Sequence, residues 1–387
     1  MNEVPFIVGG RVEPPYFVGR EKELTKLISD AQTLSQNNLI LAPRRFGKTC
    51  LLHNVKIKAE EKRNLIIPEI NCAEMTNCSD FYQLSIQAIL KSYQEKFKIK
   101  GLLSIFMLIF TQKTISALRS IEKIGGSIAE VGEIYLKFRE KEIDEKELLR
   151  ACFDFMDRFT KEKNINLVLI YDEFQETNRF DSYLFKLLKS RMDFMERVRF
   201  FFSGSSMSLL DKVFLKPDSP LYMMVARHFM SSLDKEIVSQ FVIERFTSCN
   251  LSINKSCADL FFELTGGIPF YIQKLGLMSY QNALLKGEVK IENQDVHISF
   301  KSMIEELDSE FEARFSSRFS ELQRRILKTL SFTKFQRMKQ IADALDKEAA
   351  NISTSLQRMV ESMILGKTDN SYYISDEVFR RWLLSKF

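Results

Sequence analysis

Short, almost wholly apolar runs alternate with longer stretches of helical periodicity over the first 230 residues of this chain. The runs are Asn38–Leu41, Leu65–Ile70, Asn166–Tyr171 and Val198–Phe202. Runs of that length without polar alternation are expected of strands buried on both faces, as in a parallel sheet. Between them, apolar positions recur at three- and four-residue spacing in Leu24–Leu34, from Thr49 to about Glu61, and in Asp80–Lys96, Glu145–Lys161 and Ser182–Glu196. These predict helices, with Asp80 as a cap. Residues 97–145 are mixed: Ile99–Leu118 is apolar at irregular spacing and Gly125-Gly126 breaks the pattern, so two helices inserted between core elements are expected.

Beyond residue 232 the strand signal almost vanishes, and helices are expected to about 313. A last unit predicts helices near 319–331, 337–345 and 349–362, then a ribbon over Met363–Ile374 turning at Asp369-Asn370, then a closing helix. Three helices and a β-ribbon make a winged-helix layout. The expected architecture is an α/β core with a parallel sheet over 1–230, a helical lid over 231–313 and a winged-helix domain over 314–387.

Composition narrows the picture modestly. With 387 residues, 45% hydrophobic and 28% charged, the chain suits two or three packed domains. A net charge of +5 is compatible with nucleic acid and equally with a lysine-rich surface. The six cysteines form no CxxC, and His53, His228 and His297 are far apart, so no zinc spacing is present. Free thiols in a reducing cytoplasm are expected. The N-terminus shows no signal peptide, and Leu102–Phe110 is shorter than the ~20 residues of a membrane span, so no membrane insertion is expected.

The candidate chemistry begins after the first apolar run, in Ala42-Pro43-Arg44-Arg45-Phe46-Gly47-Lys48-Thr49-Cys50. A strand, a loop ending in Gly-Lys-Thr and an immediate helix form a phosphate-binding P-loop. Its backbone amides and helix N-terminus cradle phosphates, Lys48 reaches the outer phosphates, and the Thr49 hydroxyl holds Mg²⁺. Ala42 departs from the glycine expected at the first position. Arg44 and Arg45 suit either phosphate or cross-domain charge contacts, or a solvated surface.

The second half is Leu167–Glu173, a buried strand ending in a carboxylate pair at the edge where open α/β sheets bind ligands. Asp172 is the candidate Mg²⁺ ligand and Glu173 the residue that orients or activates water. The strand reaching Ser203 should lie beside the first strand, which makes Ser203 and Ser205 candidates for the γ-phosphate or the water. Arg227 is a candidate for transition-state charge, within this chain or on a neighbouring subunit. Thr265–Phe270 reads as a helix–helix corner, with Pro269 suited to a first helical turn.

Assembled, these residues resemble the archaeal-type ATPases, in the STAND branch of AAA+-like P-loop ATPases related to archaeal replication initiators. The resemblance runs from about Tyr16 to the C-terminus. Its carriers are Phe17-Val18-Gly19-Arg20-Glu21, Ala42–Thr49, Leu167–Glu173, Ser203–Ser206, Leu221–Arg227, Thr265–Pro269 and the closing Tyr372–Asp376 and Arg381-Trp382-Leu383. It implies a sheet with an extra strand between the P-loop and acidic strands, a lid and a winged helix. It also implies that Val18 and Gly19, with Arg20 beside them, line the adenine side, that Pro269 packs near the base, and that ATP is preferred.

The implied activity is an ATPase switch: ADP keeps lid and winged helix closed on the core as a monomer, and ATP with a protein partner opens them and permits oligomers. A second reading is an ATP-regulated protein that binds duplex DNA through the winged helix. Its third helix offers Asn351, Ser353, Thr354, Ser355 and Arg358, flanked by Lys347, with Lys367 on the wing and Glu348 and Glu361 opposing. A third is a nonenzymatic scaffold with a structural nucleotide.

Overall fold

The computed structural model describes residues 4–99, 145–180, 182–205 and 210–387. From residue 100 to 144 the expected inserted helices lie outside the described residues, as does Ser206.

The central sheet is built from β1 (Asn38–Leu41), β2 (Leu65–Ile66), β3 (Glu69–Asn71), β4 (Asn166–Asp172), β5 (Val198–Gly204) and β6 (Ala226–Phe229). Its order is β2-β4-β5-β1-β6, with β3 also on β4, and every pairing is parallel. The acidic strand and the P-loop strand are thus separated by β5, as expected. The strand expected over Leu65–Ile70 splits because Pro68 has no N–H to give the ladder, although its carbonyl still accepts from Ile170 N at 3.0 Å.

One element corrects the sequence reading. Arg227 was expected beyond the last core strand and a helix; it lies instead within a further strand, β6, whose Ala226–Phe229 pair with Asn38–Leu41. This edge strand alternates half-buried and exposed residues, so it carries no apolar run to mark it.

Strand pleating sorts side chains onto two cores. Leu39, Leu41, Leu167, Leu169, Tyr171, Phe200 and Phe202 face one core with Phe81, Phe153, Met156 and Leu188. Helices Cys78–Phe97, Glu145–Glu162 and Tyr183–Phe194 cover that face. Tyr171 stacks on Phe81 at 5.0 Å, and its buried hydroxyl is satisfied by Ser85 at 2.8 Å. The first of these helices is capped by Asn77, with Asp80 completing a capping box at the third position rather than capping it itself.

Ile40, Val168, Ile170 and Phe201 face the other core, with Leu27, Leu51 and Val55, and that core runs without interruption into the C-terminal half. There, helices Lys235–Thr247, Lys255–Thr265, Pro269–Lys286 and Asn293–Arg318 follow one another, with β7 (Ser252–Ile253) and β8 (Lys290–Ile291) as a small parallel pair. The division expected at 313/314 falls inside the helix Asn293–Arg318.

The closing unit has helices Glu321–Phe332, Met338–Ala344 and Ala349–Glu361. Strand β9 (Gln336–Arg337), between the first two of these helices, joins β10 (Leu365–Thr368) and β11 (Ser371–Ile374) in an antiparallel sheet of order β10-β11-β9. The hairpin turns at Asp369 (φ 48°) and Asn370 (φ 64°), the two left-handed residues of a tight two-residue loop. The last helix, Glu377–Lys386, seats Trp382 against Phe311, Phe315 and Phe379, and its indole N–H donates to Asp308 at 2.8 Å. Among the described residues no helix is long and apolar enough to cross a membrane.

Candidate functional site

The P-loop and the acidic strand meet at the carboxyl edge of the sheet. Gly47 has φ 88° and terminates the loop as the helix Lys48–Ala59 begins. That left-handed turn aims the first helical N–H groups at the cavity, where the helix dipole favours an anion. Lys48 is buried: its ammonium donates to the Ala42 and Pro43 carbonyls at 3.0 and 3.3 Å and lies 4.0 Å from a Glu173 oxygen. Burial lowers its pKa, and the nearby carboxylates Glu173 and Asp172 offset part of that.

Thr49 Oγ1 donates to Asp172 Oδ2 at 2.7 Å, Ser203 Oγ donates to Asp172 Oδ1, and the Glu173 amide also reaches Oδ1 at 3.0 Å. Glu173 itself sits at φ 53°, a strained conformation for a non-glycine residue that turns its carboxylate off the strand end. There it accepts from Ser205 Oγ at 2.9 Å and from the Gln175 amide. The two serines therefore act on the two carboxylates rather than lining the cavity, which refines the expected phosphate contact. Gln175 also accepts the Ser205 N–H at 3.3 Å, and sequence reading had not singled it out.

Facing this edge is a cavity of about 560 Å³ lined by Val18, Arg20, Arg44, Arg45, Phe46, Gly47, Lys48, Thr49, Cys50, Asp172, Glu173 and Pro269 among others. Of the expected adenine-side residues, Val18 lines it. Gly19 does not: its φ of 70° and close approach to Leu233 and Ile237 make it a packing glycine. Arg20 is buried and donates to the Ser231 carbonyl, tying the entry segment to the residues before the lid. Ala42 and Pro43 contribute carbonyls to Lys48 and stay behind the loop. Ala42 is buried and absent from the residues with positive φ, so nothing at its position demands glycine.

Arg227 is not brought to the cavity. It is exposed on edge strand β6, where it donates to the Phe214 carbonyl at 3.4 Å and approaches the Tyr222 ring. Its predicted role within one chain is corrected on that ground: a residue near the middle of an edge strand points across the strand, not past its end.

Sequence reading also missed the N-terminal strap. Ile7, Gly9, Gly10, Arg11 and Val12 line the same cavity. Phe6 anchors the strap edge-on to Phe241 and Phe246 and fills a space that only Gly276 leaves open. Ile7 N donates to Gln273 Oε1 at 3.1 Å, Asn54 donates to the Val12 carbonyl at 2.8 Å, and Arg11 pairs with Glu69. The hydrophobic phenylalanine flanked by Val-Pro and Gly-Gly is the one signal available, and it carries no chemistry.

The Thr49 hydroxyl and the Asp172 carboxylate are hard oxygen donors, suited to a cation such as Mg²⁺. Among the described residues no group of three or more His, Cys, Asp or Glu could hold a metal alone. The donors present therefore fit an ion that keeps waters and phosphate oxygens in its shell, as Mg²⁺ does.

Nearly the whole chain matches solved structures. A Walker-type ATPase of Pyrococcus abyssi is 19% identical, with a TM-score of 0.64 over 98% of this chain and 99% of that one. The ORC2 protein of Aeropyrum pernix, solved as ADPNP–ADP complexes, is 13% identical, with a TM-score of 0.57 over 98% and 97%. This chain thus shares the fold of these two structures, from the parallel α/β core through the C-terminal helical region. No family model and no curated protein matches its sequence.

Proposed function

We propose that the chain binds ATP with Mg²⁺, hydrolyses it, and uses the bound nucleotide to set how the helical lid and the winged helix sit on the core. The observation that carries this reading is the convergence of Lys48, Thr49, Asp172 and Glu173 on one cavity from a loop and a strand distant in sequence. Its walls also suit a nucleotide, since the lining combines Lys48 and Thr49 for phosphate with Phe17, Val18, Pro269 and Ile272 as apolar contacts for a base.

Bound at Thr49 and Asp172, Mg²⁺ would neutralise charge on the phosphate oxygens. Lys48 holds the outer phosphates, and the P-loop amides fix their orientation. Glu173, held by Ser205 and Gln175, orients the attacking water. Because Pro269, Phe270, Ile272 and Gln273 wall the cavity, the lid covers any nucleotide seated there. Arg227, exposed on β6 and away from the cavity, has no role in its own site on this reading.

Phosphate release from ATP by the purified chain tests this. The wild type is expected to turn over, and Lys48→Ala to lose nucleotide binding. A Lys48→Ala protein that binds and hydrolyses ATP as the wild type does would overturn the site assignment.

A second reading, ATP-regulated binding to duplex DNA, is favoured by the exposure of Lys347, Arg358 and Lys367 on the helix–wing unit. Retardation of duplex DNA that weakens with salt and with loss of these three side chains supports it. No retardation at low salt rejects it.

A further inference from the structure

The P-loop arginine Arg45 does not face the phosphate position alone. Its backbone is left-handed at φ 75°, and its side chain leaves the loop toward the C-terminal half. One guanidinium nitrogen donates to the Tyr271 hydroxyl, and another to Glu310 at 2.5 Å. The guanidinium lies over the rings of Phe270, Tyr271 and Phe311, at 4.9, 5.0 and 5.7 Å. The Tyr271 hydroxyl in turn donates to Asp376 Oδ2 at 2.9 Å, where Arg314 also donates at 3.2 Å. The other oxygen of Asp376 accepts the Phe379 N–H at 3.0 Å and so caps the last helix of the chain. A line of hydrogen bonds thus runs from the phosphate loop through the lid helix to the closing helix of the winged unit.

Tyr271 is buried, and burial together with Asp376 holds its phenol well above the ordinary value. It therefore keeps its proton and stays a donor to Asp376 while accepting from Arg45. Around it, Gly266 leaves room for the Glu377 side chain, and Arg381 donates to the Glu263 carbonyl at 2.9 Å, so lid and closing helix are in close contact.

We infer that Tyr271 and Asp376 are positioning residues of the nucleotide site: through Arg45 they couple phosphate occupancy of the P-loop to docking of the C-terminal helix. This rests on the nucleotide-site reading above. Arg45 carries a planar fork that pairs phosphate oxygens as well as it pairs carboxylate. A triphosphate in the loop competes with Tyr271 and Glu310 for that fork. When phosphate takes it, Tyr271 loses the charged donor that polarises its hydroxyl, and the tie to Asp376 weakens. With a diphosphate, the arginine stays on Tyr271 and the lid stays docked. Exposed Glu310 is the partner most easily given up, since its carboxylate regains water; the buried phenol has no such replacement.

The test uses the full chain, a fluorescently labelled ADP and a chase of unlabelled ATP. Tyr271→Phe removes the bridging hydroxyl and keeps the ring under Arg45. Asp376→Asn removes the charge and retains a side chain able to cap the helix. Each is expected to release labelled ADP about threefold to tenfold faster, the loss of one hydrogen bond expressed as a rate. The double variant is expected to release no faster than the faster single one, because both break one line. Arg45→Lys, which keeps charge without the fork, should also release faster and should no longer respond to Tyr271→Phe. Amide exchange of residues 365–387 should rise in step in the single variants.

Release at the wild-type rate in both single variants, or multiplied effects in the double variant, overturns the coupling while leaving the nucleotide site intact. A wild-type chain that holds no labelled ADP overturns the nucleotide-site reading itself, and the coupling with it.

Discussion

The Thr49 hydroxyl donates a 2.7 Å hydrogen bond to the Asp172 carboxylate, joining residues 123 positions apart across the carboxyl edge of the sheet. The bond is made possible by β5, which separates β1 from β4 and sets the P-loop helix opposite the end of the acidic strand. Ser203, from that intervening strand, donates to the other oxygen of the same carboxylate. Asp172 is therefore fixed from both sides.

The proposed separation of roles between the two carboxylates yields a kinetic prediction. Glu173→Gln should bind ATP near wild-type affinity and lose turnover by roughly 10²–10⁴, the contribution of a positioned general base. Ser205→Ala, which removes only one hydrogen bond to that carboxylate, should lose turnover by about tenfold or less. Single-turnover phosphate release set beside equilibrium nucleotide binding separates the two effects.

Ala42 occupies the position where the P-loop pattern has glycine, yet its side chain is buried in the core and its backbone is not left-handed. Restoring the glycine should lower stability by about 1 kcal/mol, from added freedom in the unfolded chain and lost burial. Nucleotide affinity should not improve. Urea unfolding and calorimetric titration of Ala42→Gly check both halves.

Phe6 holds the strap that lines the cavity, packed on Phe241, Phe246 and Gly276. Phe6→Ala should cost about 3–5 kcal/mol if the site does not collapse, and less if the strap detaches as a unit. In the second case the measurable outcome is faster nucleotide release with a small change in melting temperature. Unchanged release would show that the strap does not retain the ligand.

His228 on β6 has a pKa lowered first by burial and then by Lys26, against smaller opposing effects of Asp30 and Glu23; its ring lies 2.7 Å from the Asn38 side-chain oxygen. A base whose pKa is depressed in the fold contributes stability above its unfolded value of about 6.5, and that contribution is lost as pH falls through the lower folded value. Melting temperature should therefore drop as pH falls below the unfolded value, and the drop should shrink in His228→Gln. Equal pH profiles for the two proteins would reject the assignment.

Local patterns carried most of the core legibly. Asn38–Leu41, Asn166–Asp172 and Val198–Gly204 could be read because strands buried on both faces must be apolar throughout. Lys48, Thr49, Asp172 and Glu173, which the structure brings to one cavity, could be singled out because a site for phosphate and a hard cation would call for those groups there. Edge strand β6 could not, since one side faces solvent and its alternation is four residues long. The strap could not, since its contribution is backbone and shape.

By itself, then, the sequence determined the buried strands β1, β4 and β5, the loop between β1 and its helix, the carboxylate pair and the three-helix-and-ribbon end, each specified by spacing within a few residues. Tertiary structure alone decided that Ser203 and Ser205 serve Asp172 and Glu173, that Arg227 lies away from the cavity, and that Arg45 reaches Asp376 through Tyr271. Periodicity reports which face of an element is buried. It does not report which distant element covers that face, because that depends on how helices from separate parts of the chain pack into one continuous core.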